Sequence, residues 1–120
     1  MAVHVRPEDA PRLALRGRSA TRLFEGDRYG VEMTVRLVEV APEDPDDPRP
    51  PHVHEAAGEF VWVLEGRGMV HGTPGRFEVT AGEGVYVSAG ERHKIAPTGD
   101  RPLTLLCFFS TGDVAACTRE

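Results

Sequence analysis

The chain is poor in lysine, cysteine and long apolar runs, and each shortage narrows what it can be. Lys94 is its only lysine, so nearly all of its 14 basic residues are arginine. They are scattered, and the formal net charge is −5. No basic run is dense enough to track a phosphate backbone, which argues against a nucleic-acid-binding surface. No segment approaches the roughly 18 consecutive apolar residues of a membrane-spanning helix, so no membrane partner is expected. The stretch from Met1 to Arg18 has no continuous apolar core and carries Pro7 and Pro11, so it does not read as a secretory signal. A cytoplasmic protein is expected. The two cysteines fit that compartment as free thiols, Cys107 buried in an apolar run and Cys117 exposed in a polar tail. The arginine bias, with abundant Ala, Gly, Pro and Val, suggests a GC-rich bacterial source.

Helical periodicity is also scarce. The 120 residues suffice for one domain, and 40% hydrophobic content can build its core. Short apolar runs punctuated by Gly, Pro and Asp predict an all-β sandwich or barrel. The predicted strands are Thr21–Phe24, Val31–Val40, Glu59–Leu64, Gly68–His71, Arg76–Val79, Gly84–Val87, His93–Ala96 and Leu103–Phe109. Turn chemistry separates them, as in Glu65-Gly66-Arg67, Gly72-Thr73-Pro74-Gly75 and Ala89-Gly90-Glu91. Residues 1–18 read as an N-terminal arm with room for one or two helical turns, 19–109 as the barrel and 110–120 as a flexible tail. Ala41–Pro51 is acidic and proline-rich, a solvated connector or a rim beside the site it leads into. Its last prolines stiffen the approach to His52.

His52-Val53-His54 places two imidazoles two residues apart, on one face of an extended strand. Four residues on, Glu59 opens an apolar strand and can add a hard oxygen donor. A third histidine, His93, follows the turn at Gly90. His52, His54, Glu59 and Gly66, then Gly82, Gly90 and His93, fit two Gly-punctuated templates, G-x5-H-x-H-x3-4-E-x6-G and G-x5-P-x-G-x2-H-x3-N. On these motifs the sequence resembles the cupin superfamily, here a small single-domain member. Asp46, Ser88 and Pro97 depart from the templates at positions that carry no ligand. The resemblance implies a cupin-type double-stranded β-helix, an antiparallel jelly-roll barrel. It also implies one divalent metal per chain on His52, His54, Glu59 and His93.

Three imidazoles and a carboxylate suit Fe(II), Mn(II), Zn(II), Ni(II) or Co(II), with Fe(II) favoured here. Four protein ligands on an octahedral ion leave two positions open, whereas a closed structural zinc site would use thiolates. The expected function is a metal-dependent enzyme, an Fe(II) dioxygenase acting on a small chelating substrate. The alternatives are a non-redox isomerase, lyase or cyclase, and a binding module without turnover. Arg36 on the long strand before the metal loop is a candidate anchor for a substrate carboxylate, and His71 a candidate supporting contact. If Glu59 points inward, Val61 and Val63 follow, and Phe60, Trp62 and Leu64 face outward. That outer apolar face needs a cover, either the N-terminal segment or a second subunit, and a homodimer is expected.

Overall fold

The computed structural model describes residues 2–72 and 75–119; the Thr73-Pro74 tip of one expected turn lies outside them. The strands are β1 (Arg12–Leu15), β2 (Arg18–Phe24), β3 (Thr34–Val40), β4 (Val53–His54), β5 (Glu59–Glu65), β6 (Arg67–His71), β7 (Arg76–Thr80), β8 (Gly84–Val87), β9 (Lys94–Pro97), β10 (Leu103–Phe109) and β11 (Thr118–Arg119). A six-stranded sheet runs in the order β1-β2-β3-β10-β5-β8, and a three-stranded sheet in the order β7-β6-β9. Every pairing is antiparallel, as a jelly-roll barrel requires. Among the described residues, no helix is long and apolar enough to cross a membrane.

Strand alternation decides what fills the barrel. On β5, Glu59, Val61 and Val63 are buried while Phe60, Trp62 and Leu64 are exposed, as the sequence predicts. On β10, Leu103, Leu105, Cys107 and Phe109 point inward beside them. Val70, Val79 and Ile95 from the smaller sheet complete one continuous core. Val61, Val63 and Leu103 have no exposed surface, so each contributes about 1.5–3 kcal/mol by leaving water.

The two ends of the chain differ from expectation. The N-terminal arm makes a single 3-10 turn, Pro7–Asp9, and Pro11 ends it. Pro lacks the N–H that an intrahelical bond needs. Arg12–Leu15 then pairs with β2. That places the arm at the far edge of the larger sheet, so it does not cover Trp62. The expected flexible tail is packed instead. Val114 is buried, Cys117 lies half-buried against the core rather than exposed, and β11 pairs with β4. The apolar side chains of Val114 and Cys117 give this short segment a reason to stay down. Both cysteines are free thiols.

The turn from β5 to β6 depends on Gly66. Its φ is +91°, and a Cβ there would sit 2.8 Å from the Pro102 carbonyl oxygen. A side chain would be strained by both the backbone angle and the contact. Gly66→Ala should therefore lower unfolding stability by about 1–3 kcal/mol. Urea denaturation measures this, and a midpoint equal to wild type would contradict the packing described.

Candidate metal centre

The four residues singled out by spacing arrive from three places. His52 and His54 flank Val53 at β4, Glu59 opens β5, and His93 stands just before β9. The third histidine meets the first pair through backbone bonds. His52 N–H donates to the His93 carbonyl at 2.9 Å, and His93 N–H donates to the His52 carbonyl at 2.8 Å. Gly90, at φ +82°, donates its N–H to the His54 carbonyl at 2.8 Å. The turn that carries His93 is thereby fastened to the strand that carries the other two. His93 makes an isolated bridge with His52 rather than beginning β9, which starts one residue later.

One donor atom from each of His52, His54, Glu59 and His93 falls within 4.8 Å of the others. His93 Nε2 lies 3.0 Å from Glu59 Oε1, and His54 Nε2 lies 3.5 Å from the same oxygen. The imidazole centroids are 4.4 to 5.2 Å apart. Glu59, His54 and His93 are buried, and His52 is partly exposed.

Hydrogen bonds on the far side of two rings decide where their lone pairs point. Thr118 Oγ1 donates its proton to the Val114 carbonyl at 2.6 Å, so it can only accept from His54 Nδ1 at 2.7 Å. The Nδ1 of His54 is therefore protonated, and its Nε2 carries a lone pair in the interior. No hydrogen bond satisfies that Nε2. His93 Nδ1 donates to the Glu91 carbonyl at 2.9 Å, which aims its Nε2 at Glu59. Lone pairs facing a carboxylate oxygen repel unless a cation stands between them. The cation is a proton on His93 or a metal ion, and the donor set fits the metal.

Charge states agree with this arrangement. Burial, reinforced by neighbouring His93 and His54, holds His52 down to about 3, so its ring is neutral. Burial alone would raise Glu59, but a proton on the facing His93 outweighs it and holds the carboxyl at about 2. Burial alone would lower His93, but Glu59 and the Glu91 carbonyl outweigh it and raise its pKa.

A cavity of about 90 Å³ adjoins the cluster. Phe109, Val38, Cys107, Arg18, Arg36 and Arg49 are among its walls. Arg36 points inward on β3, which is an internal strand, and its Nε donates to Glu25 Oε1 at 2.5 Å. Its expected carboxylate contact is thus already made within the chain. His71 is not at the site, because Gly68 and Val70 take the inward positions of β6 and leave Met69 and His71 on the other face. Sequence reasoning missed Thr118 and Arg49. Nothing local marks Thr118, and Arg49 sits in a segment with the composition of a solvated loop.

Metal uptake should displace the proton shared by His93 and Glu59. Because the His93 pKa is raised, the proton competes at higher pH than for an ordinary histidine. Zn(II) affinity should fall as pH drops from 8 to 6, approaching about tenfold per pH unit below the His93 pKa. Competition titration with a chromophoric chelator measures it, and an affinity flat across that range would refute the shared proton.

Comparison with known proteins agrees with this geometry. The cupin-domain family matches residues 36–109. An uncharacterized protein of Methanocaldococcus jannaschii is 38% identical over 56 residues, 47% of this chain and 45% of that one. A sugar phosphate isomerase of the cupin superfamily from Silicibacter pomeroyi superposes with a TM-score of 0.64 at 30% identity. That match covers 78% of this chain and 59% of the isomerase. A polyketide cyclase from Streptomyces resistomycificus has the same fold, with a TM-score of 0.74 at 21% identity over 91% of this chain and 79% of its own. The motif positions, the barrel and the match over most of the barrel residues together place the chain in the cupin family.

Proposed function

We propose that this chain is a metal-dependent enzyme acting on a small chelating substrate, with His52, His54, Glu59 and His93 holding one divalent ion. The observation that carries the reading is the buried His54 Nε2, left without a partner by a tautomer that Thr118 imposes. A structural histidine would have its second nitrogen satisfied. The bound ion supplies Lewis-acid polarisation of a chelated oxygen and, as Fe(II), redox chemistry with dioxygen.

The chain's own residues do the rest. Thr118 and the Glu91 carbonyl orient two rings, Glu59 offsets positive charge, and Phe109, Val38 and Leu105 supply the apolar part of the cavity wall. Fe(II)-dependent dioxygenation of a small substrate is the reaction we favour, and the donor set is compatible with it. A non-redox isomerase, lyase or cyclase reaction with Zn(II), Ni(II) or Mn(II) is the second reading, supported by the 30% identity to the isomerase.

Elemental analysis of wild type and of His52→Ala, His54→Ala, Glu59→Ala and His93→Ala tests the metal site. One ion per chain in wild type, lost in the variants, is expected. Unchanged content in two or more variants would end the reading. Oxygen uptake by the Fe(II)-loaded protein against chelating acids and diketones then separates the chemistries. Turnover only with Zn(II), Ni(II) or Mn(II), and no uptake, would favour the non-redox class.

We also propose a homodimer through the outer face of the larger sheet. Val35, Phe108, Phe60 and Tyr86 stand in one cross-strand row, and Leu37, Leu106 and Trp62 in the next. Phe60, Trp62, Leu64, Tyr86 and Phe108 are exposed. Such a face is self-complementary when a second copy packs across a two-fold axis. Sedimentation equilibrium should find a wild-type dimer that Trp62→Arg weakens. A wild type that stays monomeric at micromolar concentration would overturn it.

A further inference from the structure

Arg49 is a buried charge that the metal reading leaves unused. It lies in the proline-rich loop three residues ahead of His52 and is only 6% exposed. The surroundings hold it firmly. Its backbone N–H donates to Glu43 Oε2 at 2.7 Å, and Glu43 Oε1 pairs with Lys94 Nζ at 2.7 Å. Its Nη2 donates to the Ile95 carbonyl at 2.6 Å. Gly17 makes room for the side chain, since a Cβ there would lie 2.9 Å from Arg49 Cδ.

What the guanidinium lacks is an anion. No carboxylate among the described residues forms an ion pair with it, and its buried Nε has no hydrogen-bond partner. Burial and the nearby positive charge of Arg18 both disfavour its charged form, yet an arginine does not deprotonate in a protein. The charge of Glu43 offsets this in part, without an ion pair to the guanidinium, and an unpaired buried donor calls for a ligand that satisfies it. Arg36 does not share this state, because Glu25 already pairs with it.

The position of Arg49 says which ligand. Arg49 lines the same cavity as His52, His54, Glu59 and His93, and among the described residues Glu59 is the only carboxylate on its wall. A divalent ion on those four residues would leave the cavity strongly positive. Its volume of about 90 Å³ has room for several waters, so it suits a small ligand. A guanidinium with free donors matches the planar geometry of a carboxylate.

We propose that the cavity binds a small metal-chelating carboxylic acid, with Arg49 holding its carboxylate while an adjacent oxygen reaches the ion. This inference rests on the metal reading and names its substrate class. Arg49, rather than Arg36, is then the substrate-anchoring arginine.

The test uses the full chain loaded with Zn(II), as wild type, Arg49→Gln and Arg49→Lys. Each is assayed for zinc content and titrated calorimetrically with lactate, its neutral analogue lactamide, and inorganic phosphate. The expected result is one zinc per chain in all three proteins. Lactate should bind wild type and lose about tenfold or more in Arg49→Gln, with Arg49→Lys between them. Lactamide should bind weakly and alike to all three. If Arg49→Gln does not fold, the lactate-to-lactamide ratio on wild type and the loss in Arg49→Lys decide the matter. Equal lactate affinity in zinc-loaded wild type and variants would overturn the inference and leave the metal site standing. Phosphate binding more tightly than lactate would overturn the carboxylate assignment. A wild type that takes up no zinc would overturn the metal reading, and this inference with it.

Discussion

An ionised carboxylate buried among three imidazoles is the constraint on which the rest of the site depends. Glu59 is 6% exposed and stays charged because the proton on His93 faces it. A buried charge of this kind survives only with a counter-charge, and losing the partner typically costs about 3–5 kcal/mol. The strand bearing Glu59 and the turn bearing His93 must therefore stay together. The paired backbone bonds between His52 and His93 fix that turn to the H-x-H segment, and the His93–Glu59 contact at 3.0 Å joins it to β5. A proton serves as the counter-charge in the metal-free chain, and a divalent ion would take its place. The same geometry that stabilises the interior thus makes it competent to hold a metal.

That constraint explains why distant parts of the chain converge. The last residues return so that Thr118 can accept from His54, and β11 pairs with β4 to hold Thr118 there. Val114 anchors the segment in the core and takes the Thr118 hydroxyl proton on its carbonyl. One hydrogen bond chain, from Val114 through Thr118 to His54, sets a ring tautomer from 64 residues away. The wall contributes in another way. Cys107 lines the cavity opposite in sense to a thiolate ligand, because burial and the neighbouring Glu59 push its thiol well above the ordinary range. It stays a neutral wall residue.

What could be read in the sequence was local. H-x-H is legible because a strand repeats every two residues. The inward path of Glu59, Val61 and Val63 follows from the same period, and the motif glycines Gly66, Gly82 and Gly90 all adopt positive φ. The β-barrel followed from eight short runs with turn residues between them. What could not be read needed tertiary contacts. Thr118 is an unremarkable polar residue until its segment docks. Arg49 looks solvated among Asp and Pro, and only the room at Gly17 and the Ile95 carbonyl bring it inside. Arg36 could be assigned no face until the register of β3 with β2 and β10 was known. His71 could have been set aside, since the alternation that buries Val70 turns it away.

The proline-rich loop ties anion and metal recognition into one rigid unit. Pro50-Pro51 joins Arg49 to His52, and proline fixes the backbone angle at both intervening residues. Upstream, Glu43 grips the Arg49 backbone and reaches Lys94, the neighbour of His93. The loop is thus strapped to both segments that carry histidines, on its two sides. A substrate spanning the guanidinium and the ion would find their separation already set, with little entropy left to lose on binding. Because both line one small cavity, a ligand that fills it meets the guanidinium and the four donors together. Composition marks this segment as a connector, but its contacts bring a buried guanidinium to the wall of the cavity that the four metal-ligating candidates share.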